Sequence, residues 1–308
     1  MRPLAAALTA LSCLLLGGCG GSSDDSSSTP AAEGTEATLE ELWRAPGDDV
    51  AVVAGTANHE PGDVRVSFLI VDPEGRVVMY PTARVWVARA LDGRPFLESS
   101  AKLERIGVPG GAEADATHIY VARLRLAEPG KYWFVAEPEG GRPIQALGNV
   151  VVAARDSVPS VGEAAPRSET PTIASTGGDL STLTTRTPPD ESLLRHSVAE
   201  SLRANVPFVV TFSTPKYCQS RTCGPVVDVV EEVARRFEGQ SARFIHVEVY
   251  EGNDPAGGYN RWMREWGLET EPWTFVVGGD ARIVERFEGV VSVLELEAVV
   301  QAVLEGVS

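Results

Sequence analysis

Hydrophobic and polar positions alternate along the first half of the chain and change period in the second. Val64, Val66, Phe68 and Ile70 point one way while Arg65 and Ser67 point the other, the period-two signature of a half-buried strand. Asp72-Pro73-Glu74-Gly75 then makes a turn. Strand-like runs come next at residues 83–89, 118–126, 131–137 and 144–152, divided by Asp92-Gly93, Glu128-Pro129-Gly130 and Glu139-Gly140-Gly141. From residue 190 the period lengthens. Leu193, Leu194, Ser197, Val198 and Leu202 give a helical stripe, residues 207–213 a buried strand, and Val226, Val227, Val230, Val233, Ala234 and Phe237 a second helix face. Beyond them lie a strand at 243–249, a helix at 259–266 stopped by Gly267, and strands at 273–277 and 282–287 about a Gly278-Gly279-Asp280 turn. A last helix at 292–304 has Gly306 just beyond it.

These patterns divide the chain. Around seven strands with turn signals every ~8–12 residues predict an all-β sandwich of immunoglobulin-like type over residues 49–154. It is expected to serve as a spacer or docking module. Residues 155–189, rich in Pro, Ser, Thr and Gly, read as a linker that wraps partly onto the second domain. Alternating strands and helices over 190–308 predict that second domain to be an α/β layer.

The N-terminus sets the expected compartment. Arg2, an apolar run over residues 4–16 and Gly17-Gly18-Cys19 form a secretory signal at 1–18, too short to span a bilayer alone. Leu16-Gly17-Gly18-Cys19 resembles the bacterial lipobox, which implies lipidation of Cys19 and loss of Cys13 with the signal. Residues 19–48 then read as a flexible tether, rich in Ser, Gly, Asp and Glu from Ser22 to Thr38. The expected location is the outer face of the cell membrane, held by lipid alone. An ordinary cleaved signal is the alternative. The full chain carries 43 acidic and 27 basic residues for a net charge of −16, which argues against nucleic acid and against electrostatic binding to anionic lipid.

With Cys13 and Cys19 so assigned, Cys218 and Cys223 remain as the thiols of the mature chain, with four residues between them. Outside the cytoplasm such a pair is expected to rest as a disulfide. Two residues five apart in a regular helix have Cα atoms about 8–9 Å apart, beyond the roughly 7 Å that a disulfide spans. If they bridge, Cys218 to Thr222 must form a loop above the helix N-terminus, and Pro225 suits the first helical position. There the helix dipole favours a thiolate, with Lys216 and Arg221 nearby in sequence.

The order α-β-(Cys…Cys)-α-β-α-β-β-α resembles the thioredoxin fold over residues 180–308, with Glu271-Pro272-Trp273 placed where that superfamily keeps a cis-proline. The resemblance implies thiol–disulfide exchange with protein thiols or disulfides, Cys218 attacking and Cys223 resolving. It implies that Tyr217, Glu271 and Pro272 hold the substrate strand. It requires no bound cofactor and no metal, but an upstream redox partner. The chain departs from the family at several points. Four residues separate the thiols where two are usual, Gly224-Pro225 follows the second cysteine, and Tyr217 replaces a tryptophan. Thr211 stands near the place of a buried acid and cannot relay protons.

Other chemistries remain open at this point. The pair can be a structural staple in a non-catalytic surface lipoprotein that binds an envelope partner, with Trp262, Trp266 and Trp273 as contact or core aromatics. Ser213-Thr214-Pro215 is faintly similar to a peroxiredoxin site, although Pro215 occupies the position of that family's threonine and Thr211 that of its proline. Copper delivery needs a further soft ligand. The candidate is His246, inside a strand pattern, while Met79 and Met263 are distant in sequence. His59, His118 and His196 show no metal-ligand spacing.

Overall fold

The computed structural model describes residues 35–218 and 220–306; the signal, Cys13, Cys19 and the lipobox lie outside those residues. In chain order the elements are α1 (Leu39–Trp43), β1 (Ala51–Ala54), β2 (Gly62–Val71), β3 (Thr82–Ala88), β4 (Leu97–Arg105), β5 (His118–Leu126), β6 (Gly130–Pro138) and β7 (Ala146–Val152). They continue with α2 (Val198–Arg203), β8 (Phe208–Phe212), α3 (Cys223–Arg236), β9 (Arg243–Val247), α4 (Arg261–Glu265), β10 (Trp273–Val277), β11 (Ile283–Glu288) and α5 (Val293–Glu305).

Strands β1 to β7 hydrogen-bond in the order β1-β2-β5-β4-β3-β6-β7, each pairing antiparallel. This corrects the expected two-sheet sandwich: the strands form one continuous ladder. Parallel bridges Asp48↔Ile144 and His59↔Val152 bring the segments flanking β1 to β7 and its approach, so the twisted sheet curls around its own apolar face. Val64, Val66, Phe68 and Ile70 line that interior with Tyr120 and Phe134, as the alternation predicts. The residues between them are buried as well, Arg65 at 8% and Ser67 at 0% exposure, because the outer face of β2 is covered by the second half of the molecule.

That half is a four-stranded sheet in the order β11-β10-β8-β9. Strands β8 and β9 are parallel, joined through α3, while β10 runs antiparallel to β8 and to β11. Val226 and Val230 of α3 pack with Leu296 and Val300 of α5 in one cluster. Met263, Trp266, Val198 and Leu202 pack with Phe212 and Phe275 in another. A central sheet between two helical layers, with a parallel β8-α3-β9 unit and an antiparallel β10-β11 hairpin, is the thioredoxin-like arrangement expected here. α5 begins with a capping box, Ser292 accepting from Glu295 N and Glu295 from Ser292 N, and ends at left-handed Gly306 (φ 71°).

The two-domain division is not a separation in space. The α3/α5 cluster includes Ile106, Ile119 and Val121 of the first sheet and the loop after β4, and the described residues belong to one compact unit. Apolar side chains on the outer face of β5 find their cover there rather than in water. The predicted linker is ordered along this unit: Val158, Ala165 and Leu183 are buried, and Ala164 bridges to Arg282 beside β11. Residues 39–43, inside the expected tether, form α1, with Leu39 at 0% exposure against Trp86, Ala88 and Val135. A Thr38–Glu41 capping box starts it.

Candidate active site

Strand β8 is buried along its whole length and delivers the chain to the cysteines. Ser213 N donates to the Val247 carbonyl at 3.0 Å, and Ser213 Oγ donates to the Cys223 carbonyl at 3.1 Å. These bonds anchor both ends of the loop. Cys218 and Cys223 are joined by a disulfide with a Cα–Cα distance of 5.9 Å, and Cys218 lies outside the helix as the distance argument requires. Arg221, at φ 51°, supplies the left-handed turn that brings the chain back.

The helix starts earlier than expected, at Cys223 rather than Pro225. Proline is tolerated at the third position because the first N–H groups of a helix have no intrahelical acceptor. No side chain caps this end: Thr222 makes no capping bond. Instead Cys223 N donates to Cys218 Sγ at 3.3 Å. Ser220 Oγ lies 3.5 Å and Thr222 Oγ1 3.9 Å from the same sulfur. An uncapped helix N-terminus with two hydroxyls is a site for negative charge, so a thiolate on Cys218 is favoured once the bond opens. The two sulfurs are unequal. Cys218 is half-buried and Cys223 fully buried, at 0% exposure.

Lys216 and Arg221 are engaged elsewhere. The Lys216 ammonium stands 5.0 Å from the ring centre of half-buried Tyr217, and Arg221 faces Asp115 at 3.9 Å across exposed surface. The Glu271-Pro272 peptide is cis, as the resemblance implies, and the Glu271 side chain lies beneath the disulfide. Its Oε2 stands 3.6 Å from Cys223 Sγ and accepts from Thr214 N at 3.0 Å. Oε1 accepts from the Tyr250 hydroxyl at 3.3 Å. Burial, with a smaller push from Glu248, raises the Glu271 carboxyl to about 7 against the bonds from Thr214 and Tyr250.

Around this core most polar groups are paired, while Thr214 Oγ1 and Glu248 Oε2 are buried without a partner. Thr211 Oγ1 donates to the Trp273 carbonyl at 3.3 Å and accepts from Thr274 Oγ1 at 3.0 Å, fully buried between strands. His246 sits beside Thr211 in the β8–β9 register, its Nε2 3.0 Å from the Ser213 carbonyl. Burial pushes its pKa down, so the ring is neutral. Glu248 is 5% exposed, and its Oε1 accepts from Thr185 N and Oγ1 at 2.5 and 2.7 Å. Trp266 and Trp273 are core residues, at 0% and 1% exposure. No group of three or more His, Cys, Asp or Glu side chains among the described residues is placed to hold a metal ion.

Sequence reasoning missed the contribution of the first sheet. The loop after β4, residues 106–117, lies along the start of α3. Ala112 N donates to Asp228 Oδ2 at 2.6 Å, while Asp228 Oδ1 accepts from Arg186 at 2.8 Å and Glu231 holds the same guanidinium at 2.5 Å. A Cβ on Gly107 would stand 3.1 Å from the Pro225 Cβ, so glycine permits the close approach. Gly110, Gly111 and Ala112 face Pro215, Lys216 and Gly224 across a groove of about 660 Å³. Only the Gly-rich composition of Val108-Pro109-Gly110-Gly111 hinted at a close backbone approach.

No family model and no curated protein sequence matches this chain. Among solved structures it is similar to a thiol:disulfide interchange protein of the thioredoxin family from Chlorobium tepidum TLS, at 14% identity. The alignment covers 50% of this chain and 99% of that one, with a TM-score of 0.28. What the site can do rests on its own atoms.

Proposed function

We propose that this chain is an extracytoplasmic, lipid-anchored thiol–disulfide oxidoreductase acting on protein thiols or disulfides, with Cys218 as nucleophile and Cys223 as resolver. One observation carries the proposal: Cys218 Sγ, the more accessible sulfur, receives the first N–H of an uncapped helix, and its bonded partner is sealed inside. In the reduced form a thiolate held this way is a stabilised nucleophile, and the accessible sulfur is the one that a protein substrate reaches. A staple needs neither asymmetry nor an open helix N-terminus. Pro272 and Tyr217 border the cysteines and are assigned to hold the substrate strand. The groove under residues 110–112 offers room along Pro215, Lys216 and Gly224. Lipidation of Cys19 is assigned from the lipobox resemblance, and an upstream redox partner returns the pair to its working state.

The test is the reduction potential of the Cys218–Cys223 pair, read by trapping free thiols after equilibration in glutathione buffers. A value above about −270 mV, among working oxidoreductases, supports exchange, and C218S must then abolish it. A value below about −300 mV marks a structural bond, and the partner-binding surface lipoprotein takes its place. Mass analysis of the mature N-terminus in wild type and C19S tests the anchor.

A further inference from the structure

We propose that Glu271 is the catalytic acid–base of the resolving step, taking the proton from the Cys223 thiol and returning it in the reverse direction. This rests on the exchange chemistry above. Cys223 is fully buried at the base of the site, an environment that disfavours a thiolate, yet it must ionise to attack. Glu271 Oε2 is 3.6 Å from its sulfur. The carboxyl is fixed in that position from both sides, by Thr214 N on Oε2 and the Tyr250 hydroxyl on Oε1.

The groups facing Glu271 are Thr214 from the loop after β8, Cys223 from α3 and Tyr250 from the segment after β9. Tyr259 stacks on Tyr250 with ring centres 5.5 Å apart, and the Glu248 charge acts on both Glu271 and His246. Burial and Glu248 hold Glu271 at about 7, where a carboxyl both accepts and gives a proton near neutral pH. Tyr250 itself is pushed up to about 12, chiefly by burial and then by Glu271, so it remains a donor.

In the reduced protein the Cys218 thiolate attacks a substrate disulfide, and the first substrate sulfur leaves as a thiolate. The Cys223 proton then passes to Glu271 Oε2 as the Cys223 sulfur attacks Cys218 Sγ. The mixed disulfide breaks, the Cys218–Cys223 bond forms, and the second substrate sulfur leaves as a thiolate. Two electrons move from the protein dithiol to the substrate disulfide.

The experiment uses the full chain, reduced and mixed with glutathione disulfide, followed by acid quench and mass analysis. In E271Q the Cys218–glutathione adduct should form at the wild-type rate and resolve about a hundredfold more slowly, within the usual contribution of a positioned base. The rise of the wild-type resolution rate through neutral pH should disappear. Y250F, which keeps the carboxyl but removes the donor to Oε1, should move that rise to higher pH and serves if E271Q does not fold. In C218S the ultraviolet thiolate titration of Cys223 should shift downward by about a unit on adding E271Q, since a neighbouring negative charge is lost. Resolution at the wild-type rate with an unmoved Cys223 titration overturns the assignment. A wild-type chain inert towards glutathione disulfide overturns the exchange chemistry itself, while the C218S titration still reports whether the two groups share a proton.

Discussion

Arg65 ties the first sheet to the start of α5, and replacing it with methionine tests the joint between the halves. Its Nε donates to Glu295 Oε1 at 2.8 Å, and one Nη donates to Oε2 at 3.0 Å and to the Val290 carbonyl at 2.9 Å. The two side chains are 5% and 15% exposed, and the guanidinium lies 5.5 Å from the Phe287 ring centre. Methionine keeps the apolar stem but strands the Glu295 charge. Removing one partner of a buried pair costs about 3–5 kcal/mol. Here the second Nη has no bond in the folded state, so part of the arginine's desolvation cost is relieved, and about 3 kcal/mol at pH 7 is expected. Burial pushes the Glu295 carboxyl up, but Arg65 and the bond from Ser292 N outweigh it and hold the carboxyl below its ordinary value. A depressed carboxylate contributes stability above its unfolded pKa and loses it as pH falls through the folded one. The deficit of R65M should therefore begin to shrink above pH ~4.5, where burial makes the stranded Glu295 take up a proton, and go on shrinking as acid reaches the wild-type carboxyl. Urea unfolding followed by circular dichroism at pH 7 and at pH 4 reads both quantities. A loss under about 1 kcal/mol at pH 7, or a deficit that does not shrink in acid, refutes the reasoning.

Other changes probe the site and its surroundings. Glu271 in the fold holds its proton to about 7 against an ordinary 4.5, so the favourable contribution of that proton is complete below ~4.5 and is lost as pH rises through 7. E271Q should match wild type near pH 4.5 and exceed it above pH 7 by at most about 3 kcal/mol, which denaturant titrations across that range would show. His59, buried between the sheets and pushed down to about 4, contributes stability above its ordinary 6.5 that is lost as pH falls through 4. H59Q should flatten that acid limb in thermal melts. G267A would place a methyl against the Ser157 carbonyl at a left-handed position (φ 63°) and should cost above about 2 kcal/mol. D228A removes the acceptor of Ala112 N and one partner of Arg186, a loss of about 1–3 kcal/mol. Hydrogen exchange should then quicken in residues 106–117 before it does elsewhere.

The elements that were legible in the sequence are those whose own residues carry the period. β5 and β10 have the predicted limits, because Ile119, Tyr120 and Val121 in the first and every residue of the second are β-branched or aromatic, and turn signals bound both runs. β4 was missed: Glu98, Lys102 and Glu104 break its apolar pattern, and its place in the sheet comes from partners on both sides rather than from its own composition. The single curled sheet was equally invisible. Alternation says which face of a strand is apolar but not whether a ladder closes on itself or divides. The outer face of β2 shows the limit most clearly. Arg65 and Ser67 read as solvent positions, and only a second layer of structure pressing on them makes them interior.

The site was legible where local rules determine it and obscure where contacts between distant segments do. That Cys218 must leave the helix follows from helix rise and disulfide reach, both local quantities, and the bridge obeys them. That Glu271 lies 3.6 Å from Cys223 comes from a contact across 48 positions, which no spacing encodes. In the sequence Glu271 was expected to hold the substrate strand with Pro272; in the fold it is the carboxyl beside the sealed sulfur. Thr211, where a buried acid was sought, is locked between strands by Trp273 and Thr274. The loop 106–117 extends the same point to the whole molecule. A segment more than a hundred residues upstream of the cysteines reaches Asp228 on the helix that Cys223 begins, so substitutions in the first sheet should register at the disulfide.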